Sequence, residues 1–391
     1  MKKEKSSSTA RGFLLGVLST LVVLGVVFTA WNWDYITGSG VAPANLGGQA
    51  KVSAITQMIH KVYLGDVDEE QLTDYMCLGL VTGLGDKYST YYTEAQYEKL
   101  LQSNSGHYSG LGIEIKQETE GGDIQISKCY DNTPAADAGI KEGDILRFVD
   151  GTSVEGLSSQ DVVDMIQKKA QGDSVSLTLQ RGEETYTAQV KISDVESVSA
   201  SGRMLDAQTG YIQITEFTGV TSAQFQECMK NLRELGMKKL IIDLRDNGGG
   251  LVTGVCNTLR QILPEGLIVY TEDKNGKRAE ERCDGDTPLD IPLVVLVNKN
   301  TASAAEIFSG AVQDYKIGTI LGTVTYGKGV VQDTYPLKGG GAVKLTISHY
   351  YTPNGNNINR TGITPDVKLD QAEDASEDIQ LAKAQEILAE K

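Results

Sequence analysis

The chain has 391 residues, of which 40% are hydrophobic, so it has enough apolar material for more than one buried core. Its formal net charge at pH 7 is −16, and this acidity excludes general binding to nucleic acid, which requires a basic surface. Its five cysteines are odd in number and lack paired metal-ligand spacing. We therefore expect free, buried thiols and no metal site.

The N-terminal segment has a charge and hydropathy pattern typical of a membrane anchor. Basic residues up to Arg11 precede an uncharged apolar run from Gly12 to Trp33, and Asp34 follows the run. At 1.5 Å per residue, such a helix crosses a hydrocarbon core of about 30 Å. The positive residues place the N-terminus in the cytoplasm and the body outside. A cleavable signal peptide is the alternative, but the long run and the lack of a clear small-x-small site favour a single-pass anchor over residues 1–35, in a bacterial-type cell membrane.

Two further segments precede the first strand-rich region. Residues 36–49 are rich in Gly, Ala, Ser and Pro, which predicts a linker. Residues 50–104 contain two runs in which apolar residues recur at helical spacing, Val52 to Val62 and Leu72 to Leu80. We predict an N-terminal helical region here and assign no chemistry to it.

Residues 105–193 have short strands and turns instead of helical spacing. Three segments, Tyr108 to Ile115, Thr133 to Ile140 and Lys141 to Gly151, together resemble a PDZ domain through their Gly-Leu-Gly-Ile, Pro-Ala, Ala-Gly, Gly-Asp and Asp-Gly pairs. PDZ domains bind an extended peptide as an added strand and hold its C-terminal carboxylate on backbone amides.

The resemblance to PDZ domains implies which residues form the peptide groove. The carboxylate loop is expected at Gly110, Leu111, Gly112 and Ile113, because glycines allow N–H groups to point at the carboxylate oxygens. The helix beside the groove is expected over residues 158–168. Its apolar residues Val162, or its neighbour Val163, and Ile166 either line the groove or belong to the core of the domain.

Residues 194–370 alternate between strand and helix patterns, which predicts an α/β core. An apolar strand starting at Lys239 ends in Asp-x-Arg-x-Asn-Gly-Gly, and Gly248 or Gly249 can bring an N–H group close to a reacting carbonyl. We expect Asp243 and Arg245 to form a structural ion pair. After the core, residues 371–391 form an acidic and then helical tail.

Ser303 lies between a strand and a helix. The run from Ile291 to Asn298 reads as a strand buried on both faces, and a helix pattern begins at Ala302, with Glu306 at capping-box spacing from the serine. First-turn amides such as that of Ala304 have no intrahelical partner and can hold an oxyanion. The location suits a nucleophile, although an ordinary N-cap serine would also occur here.

Downstream of the serine, Lys328 lies between two glycines, four residues before Gln332. The motifs Asn300-Thr-Ala-Ser303-Ala and Gly327-Lys328-Gly-Val-Val-Gln332 resemble those of the C-terminal processing peptidases, also called tail-specific proteases. The resemblance implies that Ser303 is the nucleophile, Lys328 the general base and Gln332 the residue that orients the lysine.

This resemblance extends over residues 50–370. It implies a crotonase-like ββα core with an inserted PDZ domain, protein C-terminal tails as substrates, and a homodimer formed through the helical region. The segment from Leu84 to Tyr92 resembles a further family motif. Neither a metal nor an organic cofactor is required by such an enzyme.

A lysine base must be neutral to accept a proton. Its ordinary pKa of about 10.4 leaves only about one molecule in a few thousand neutral at pH 7. Burial lowers a lysine pKa by up to roughly 3–5 units, so we expect Lys328 to be desolvated. A glutamine partner adds no negative charge that would raise the pKa again.

Three other functions have to be weighed. Gly322 to Gly329 nearly matches a nucleotide-binding P-loop, but Gly329 replaces the required Ser or Thr. A non-enzymatic PDZ adaptor would be expected to lack Ser303 or Lys328. A Ser-His-Asp hydrolase is possible mainly through His349.

Overall fold

The computed structural model describes residues 46–119, 121–372, 375 and 377–390. The apolar run from Gly12 to Trp33, and with it the predicted membrane anchor, lies outside these residues. Of the helices within them, none is both long and apolar enough to cross a membrane. The chain divides into two compact units, the first ending at Thr73 and the second beginning at Asp74.

The part before the PDZ domain is mainly helical. Its elements are α1 (Leu46–Val62), α2 (Glu69–Thr82), β1 (Thr90–Tyr92) and α3 (Glu94–Ser105). Helix α1 starts inside the predicted linker, because Gly47 and Gly48 occupy its first turn, where N–H groups need no intrahelical acceptor. The side chains of Val52, Ile55 and Met58 on α1 are exposed. The homodimer implied for this region stays a prediction.

The PDZ domain contains one main sheet, a separate pair of strands and two helices. Its elements are β2 (His107–Gly110), β3 (Ile113–Gln117), β4 (Ile124–Cys129), α4 (Pro134–Asp137), β5 (Ile145–Val149), β6 (Thr152–Ser153), α5 (Ser159–Gln167), β7 (Ser174–Arg181), β8 (Glu184–Lys191) and β9 (Ser193–Glu196). Strands β3, β4, β5, β7 and β8 are neighbours in that order, and Ile126, Leu177 and Leu179 are fully buried between them and the helices. Strands β2 and β9 pair with each other, so the chain enters and leaves the domain side by side.

The peptidase core is built on a second sheet. The remaining elements are β10 (Ala200–Met204), β11 (Thr209–Ile214), α6 (Thr221–Glu234), β12 (Lys239–Asp243), α7 (Val252–Leu259), β13 (Gly266–Asp273), β14 (Arg278–Cys283), β15 (Leu293–Val297), α8 (Ala304–Tyr315), β16 (Thr319–Gly322), β17 (Val330–Pro336), β18 (Ala342–Tyr351), β19 (Val367–Lys368) and α9 (Ile379–Ala389). The order β10-β11-β12-β15-β16-β19 is parallel except at β10. The predicted α/β core is therefore present, while its crotonase-like ββα detail stays a prediction.

Side-chain alternation assigns the two faces of this sheet. Leu240 and Ile242 of β12 belong to the large cluster that includes residues of α6, α7 and α8, whereas Ile241 belongs to a smaller cluster with residues of α9. Strand β15 is buried throughout and β12 is buried after its first residue, Lys239, as their apolar runs predict. Because parallel strands end at the same edge of a sheet, the loops after β12 and β15 meet there.

A third, antiparallel sheet completes the site. Strands β1, β18, β13 and β14 are neighbours in that order, and β17 pairs with β18. Lys328 lies two residues before the start of β17, and the amide of Tyr350 on β18 donates to the carbonyl of Gly329 at 3.1 Å. The sheet thereby fixes the lysine loop near the carboxyl edge of the core.

Candidate active site

Ser303 lies at the start of α8, as predicted, in an unusual backbone conformation. Its φ is 54° and its ψ is −117°, a region that non-glycine residues rarely occupy. The buried Tyr350 hydroxyl donates to the Ser303 carbonyl at 3.0 Å, and the amide of Glu306 donates to the same carbonyl at 2.8 Å. The conformation is therefore held by tertiary contacts, which an ordinary helix cap does not need.

The carboxylate of Glu306 connects the serine to the lysine loop. Glu306 is fully buried, and its Oε2 accepts from the backbone N–H of Ser303 and of Lys328, each at 2.8 Å. Its Oε1 accepts from the N–H of Gly327 at 2.7 Å and from Thr325 Oγ1 at 2.5 Å. One side chain thus holds the backbone of both predicted catalytic residues.

The sequence predicted only one of the four hydrogen bonds to Glu306. The capping-box spacing indicated the bond between Glu306 and the Ser303 amide, and that bond is formed. The bonds to Thr325, Gly327 and Lys328 join residues 19 to 22 positions apart. The only sequence signal for these three bonds was the position of Glu306. It lies at a helix start among apolar and small neighbours, where a solvated residue would be usual.

Lys328 is half-buried, and its ammonium group lies over an aromatic ring. The Nζ atom is 5.0 Å from the ring centroid of Tyr88. Burial is the largest cause that lowers the pKa of Lys328, and the positive charge of Lys344 lowers it further. Tyr326 and the carboxylates of Glu306 and Asp86 act in the opposite direction. The expected desolvation of the lysine is present.

The glycines beside the lysine permit close backbone contacts, as predicted. Gly327 has a φ of +84°, which disfavours other residues. A Cβ atom on Gly329 would lie 2.5 Å from the backbone nitrogen of Asn359. The amide of Tyr326, just before this loop, donates to the carbonyl of Thr301 at 2.9 Å. The lysine loop is therefore packed directly against the serine loop.

Gln332 lies on β17 and bonds to a threonine on the neighbouring strand. Its Nε2 donates to Thr346 Oγ1 at 3.2 Å, and Thr346 Oγ1 donates to Asp86 Oδ2 at 2.6 Å. Among the described residues no hydrogen bond joins Gln332 to Lys328. The orienting role of Gln332 stays a prediction. In the structure, its side-chain amide is held by the hydrogen bond to Thr346.

The three predicted oxyanion donors differ in availability. The N–H of Gly249 donates to Asn247 Oδ1 at 2.8 Å, so the assignment of this group as an oxyanion donor needs correction. A Cβ on Gly249 would lie 2.8 Å from the Ser303 Cβ, which shows that Gly249 is needed for close packing against the serine. Within the described chain, the N–H groups of Gly248 and Ala304 have no hydrogen-bond acceptor, and they remain the candidate donors.

Asp243 and Arg245 form the expected structural ion pair. Arg245 Nη2 lies 2.6 Å from Asp243 Oδ2 and 2.8 Å from Asp378 Oδ2 near the start of α9. The Tyr211 hydroxyl also donates to Asp243 at 2.8 Å. These bonds occupy the charged groups and connect the C-terminal helix to the core edge.

The structure disfavours two of the alternative functions. A P-loop must open a helix, whereas Lys328 is followed by β17. His349 lies exposed on β18, and no hydrogen bond joins it to Ser303 within the described residues. The Glu306 bonds place Ser303 beside the Lys328 loop instead.

The segment predicted to be the carboxylate loop joins β2 to β3. Gly110 and Gly112 are buried, Gly112 has a φ of +81°, and a Cβ there would lie 2.3 Å from the Thr133 side chain. The carbonyls of Leu111 and Gly112 accept from Ala135 and Tyr130, while the N–H groups of the same two residues lack an acceptor among the described residues. These two amides can therefore receive a carboxylate.

The groove beside this loop is formed by β3 and α5. Strand β3, which begins at Ile113, is at the edge of its sheet, and α5 packs next to it. Val162 is fully buried in the PDZ core, so its assignment to the groove needs correction. Ile166 is partly exposed, as is Val163, and both remain candidates to line the groove. An edge strand beside a helix suits the addition of an extended peptide.

A half-buried lysine with lowered pKa, held next to a strained serine on an α/β core that carries a peptide-binding domain, is typical of a serine peptidase. Comparisons with known proteins agree. The profile of Peptidase family S41 matches residues 208–369, and a PDZ domain profile matches residues 109–192. The chain belongs to the C-terminal processing peptidases of family S41.

Two relatives illustrate this membership, and one solved structure shares the fold. The carboxy-terminal-processing protease of Bartonella bacilliformis is 32% identical over 329 residues, which cover 82% of this chain and 75% of that protein. The chloroplastic C-terminal processing peptidase of Tetradesmus obliquus is 34% identical over 309 residues, which cover 74% of this chain and 66% of that protein. An S41 protease structure from Bacteroides fragilis shares the fold, with a TM-score of 0.54, 13% identity, and coverage of 84% and 93%.

Proposed function

We propose that this serine peptidase cleaves exported proteins near their C-terminal tails, with Ser303 as the nucleophile and Lys328 as the general base. The observation that supports the proposal most strongly is the buried Glu306 carboxylate, which binds the backbone amides of both residues through one oxygen atom. Burial lowers the pKa of Lys328, which favours the second requirement, a neutral amine that can accept a proton.

The proposed reaction needs only groups of the protein and water. Neutral Lys328 accepts the hydroxyl proton of Ser303 as Oγ attacks the scissile carbonyl. The N–H groups of Gly248 and Ala304 stabilise the oxyanion that forms. The protonated lysine gives its proton to the leaving amine, and an acyl-enzyme remains on Ser303. Water then attacks the ester, again with Lys328 as base, and releases the new C-terminus.

The first prediction concerns the two catalytic residues. Ser303→Ala and Lys328→Ala are each expected to abolish peptidase activity without unfolding the protein, whereas His349→Ala retains most activity. In the wild type, kcat/KM should rise as pH increases through the pKa of Lys328, because only the neutral amine accepts a proton, and the midpoint should lie below the ordinary lysine value of about 10.4. Activity of Lys328→Ala, or its loss in His349→Ala, would refute the assignment.

We also propose that the PDZ domain binds the substrate's C-terminal tail. The free amides of Leu111 and Gly112 can receive the terminal carboxylate, and the tail would add to the edge of β3 beside Ile166. Apolar tail residues are favoured because the partly exposed Val163 and Ile166 on α5 offer an apolar surface.

The second prediction tests this recognition. A protein substrate whose C-terminus is converted to a carboxamide should show a KM raised by about tenfold or more, because a charge-assisted hydrogen bond to backbone amides is lost. Its kcat at saturation should change less. Equal KM values for carboxylate and carboxamide substrates would show that the loop does not read the terminus.

We further propose that the peptidase is held at the outer face of a bacterial-type cell membrane by residues 1–35. The basic residues before the apolar run, and the Trp31, Trp33 and Tyr35 side chains at its outer end, support this orientation.

Protease added to intact cells without a wall should digest the body and leave a fragment near residues 1–35. A body that survives until the cells are lysed would contradict an external location.

A further inference from the structure

The segment Asp86 to Ser89, between α2 and β1, lies directly against the proposed base. The Tyr88 ring is half-buried, and the Nζ atom of Lys328 lies 5.0 Å from its centroid. The Nζ of Lys87 lies 4.8 Å from the same ring and donates to the Tyr326 hydroxyl at 2.9 Å. A part of the chain more than 200 residues before the lysine therefore forms one wall of its pocket.

Hydrogen bonds to β18 fix this segment in place. Asp86 Oδ2 accepts from Ser89 Oγ and from Thr346 Oγ1, each at 2.6 Å, and its Oδ1 accepts from the Tyr88 N–H at 3.2 Å. The Thr346 amide in turn donates to Ser89 Oγ at 3.0 Å. These bonds hold the pKa of Asp86 below its ordinary value, although partial burial opposes them. The carboxylate is thus charged at neutral pH and a strong acceptor.

The same threonine receives the amide of the third predicted site residue. Gln332 and Thr346 face each other across the β17–β18 pair, next to an irregularity between Val331 and Gln332, and Gln332 Nε2 donates to Thr346 Oγ1. Because Thr346 Oγ1 uses its only proton on Asp86, it can only accept from Gln332. This fixes which end of the glutamine amide points at the threonine, and its Oε1 has no hydrogen-bond donor within the described part of the chain.

We propose that Asp86 and Tyr88 are positioning residues for the catalytic base: the Tyr88 ring holds the Lys328 amine, and Asp86 orients the Gln332 amide through Thr346. The proposal rests on the Ser303–Lys328 assignment made above. It extends the catalytic apparatus from the S41 core to the segment before the PDZ domain, which lies outside residues 208–369 matched by the family profile.

The ring acts on the lysine in two opposing ways. Its face attracts a cation, which favours the ammonium form, and its bulk excludes water, which favours the neutral amine. The other charged or titratable groups that act on Lys328 are Lys344 on β18, Tyr326 on its own loop, Glu306 on α8 and Asp86. The Lys87 ammonium also lies over the rings of Tyr88 and Tyr326. Substitutions of Tyr88 leave these other groups in place. They can therefore separate the attraction of the ring for the ammonium from the exclusion of water.

The test uses three substitutions of Tyr88 in the full-length protein, with kcat/KM measured against pH. Tyr88→Leu removes the ring face but still excludes water, so the acidic limb of the profile should move to lower pH by about half a unit to one unit. Tyr88→Ala admits water, so the limb should move to higher pH. Tyr88→Phe keeps the ring and should stay close to the wild-type profile. Tyr270→Leu is the control, because the cation over the Tyr270 ring, at 3.6 Å, is Arg278 and not Lys328.

A second pair of substitutions tests the Asp86 side. Thr346→Val keeps the shape but removes the hydroxyl that joins Asp86 to Gln332, so kcat should fall by about tenfold or more while KM changes little. Thr346→Ser restores the hydroxyl and should restore most of kcat. Equal kcat in the Val and Ser variants would show that the hydroxyl has no positioning role.

The outcomes separate this proposal from the one on which it rests. If Lys328→Ala is inactive but Tyr88→Leu and Tyr88→Ala share the wild-type acidic limb, only the role of Tyr88 is overturned. If Lys328→Ala remains active, the base assignment and the positioning roles both fail. Unfolding temperatures of all variants identify losses caused by misfolding, and opposite shifts for the Leu and Ala variants cannot arise from a common loss of stability.

Discussion

The buried carboxylate of Glu306 is the interaction on which the site depends. A charged group without solvent contact costs several kcal/mol unless it is fully hydrogen-bonded, and Glu306 receives four hydrogen bonds from Ser303, Thr325, Gly327 and Lys328. All four donors come from the two loops that carry the proposed nucleophile and base. Leaving this buried carboxylate without its donors would cost free energy, so the four hydrogen bonds keep the two loops at a fixed separation.

This constraint makes the other unusual features of the site possible. Ser303 occupies a strained region of φ and ψ, which persists only where surrounding contacts over-determine it. The Glu306 carboxylate and the Tyr350 hydroxyl bind its amide and its carbonyl. On the lysine side, Glu306 holds the backbone amide, while burial and Lys344 lower the pKa of the amine. The Glu306 carboxylate thus holds the backbone of Lys328, while burial and the neighbouring charges set the pKa of its amine.

Sequence patterns predicted the elements and the chemistry where local rules apply. Local patterns determine the apolar runs of β12 and β15, the position of Ser303 directly before α8, and the glycines around Lys328. These predictions agree with the structure. The motif resemblance supplied the functional class. The start of α1 was misplaced because glycine signals a linker by composition, although a helix's first turn tolerates it.

The remaining features depend on contacts between distant parts of the chain. The bond between Thr346 and Asp86 joins residues 260 positions apart, and no pattern in either segment announces it. Gly249 was predicted to be an oxyanion donor, but its N–H donates to Asn247 Oδ1. Only the folded loop reveals this bond. The sequence left open whether Val162 lines the groove or belongs to the core, because tertiary packing decides which residues of a short helix are buried; the structure places it in the core.

The most direct test of the central role of Glu306 is the kinetic effect of Glu306→Gln. An amide keeps the side chain's shape but removes its charge and replaces one acceptor oxygen with a donor. We expect kcat to fall by about a hundredfold, KM to change little, and the free energy of unfolding to fall by about 2 kcal/mol. Asp314→Asn is the matched control, since Asp314 lies on the same helix and accepts from the Asn354 amide away from the site. Wild-type kcat in Glu306→Gln, with Asp314→Asn also unchanged, would contradict the account.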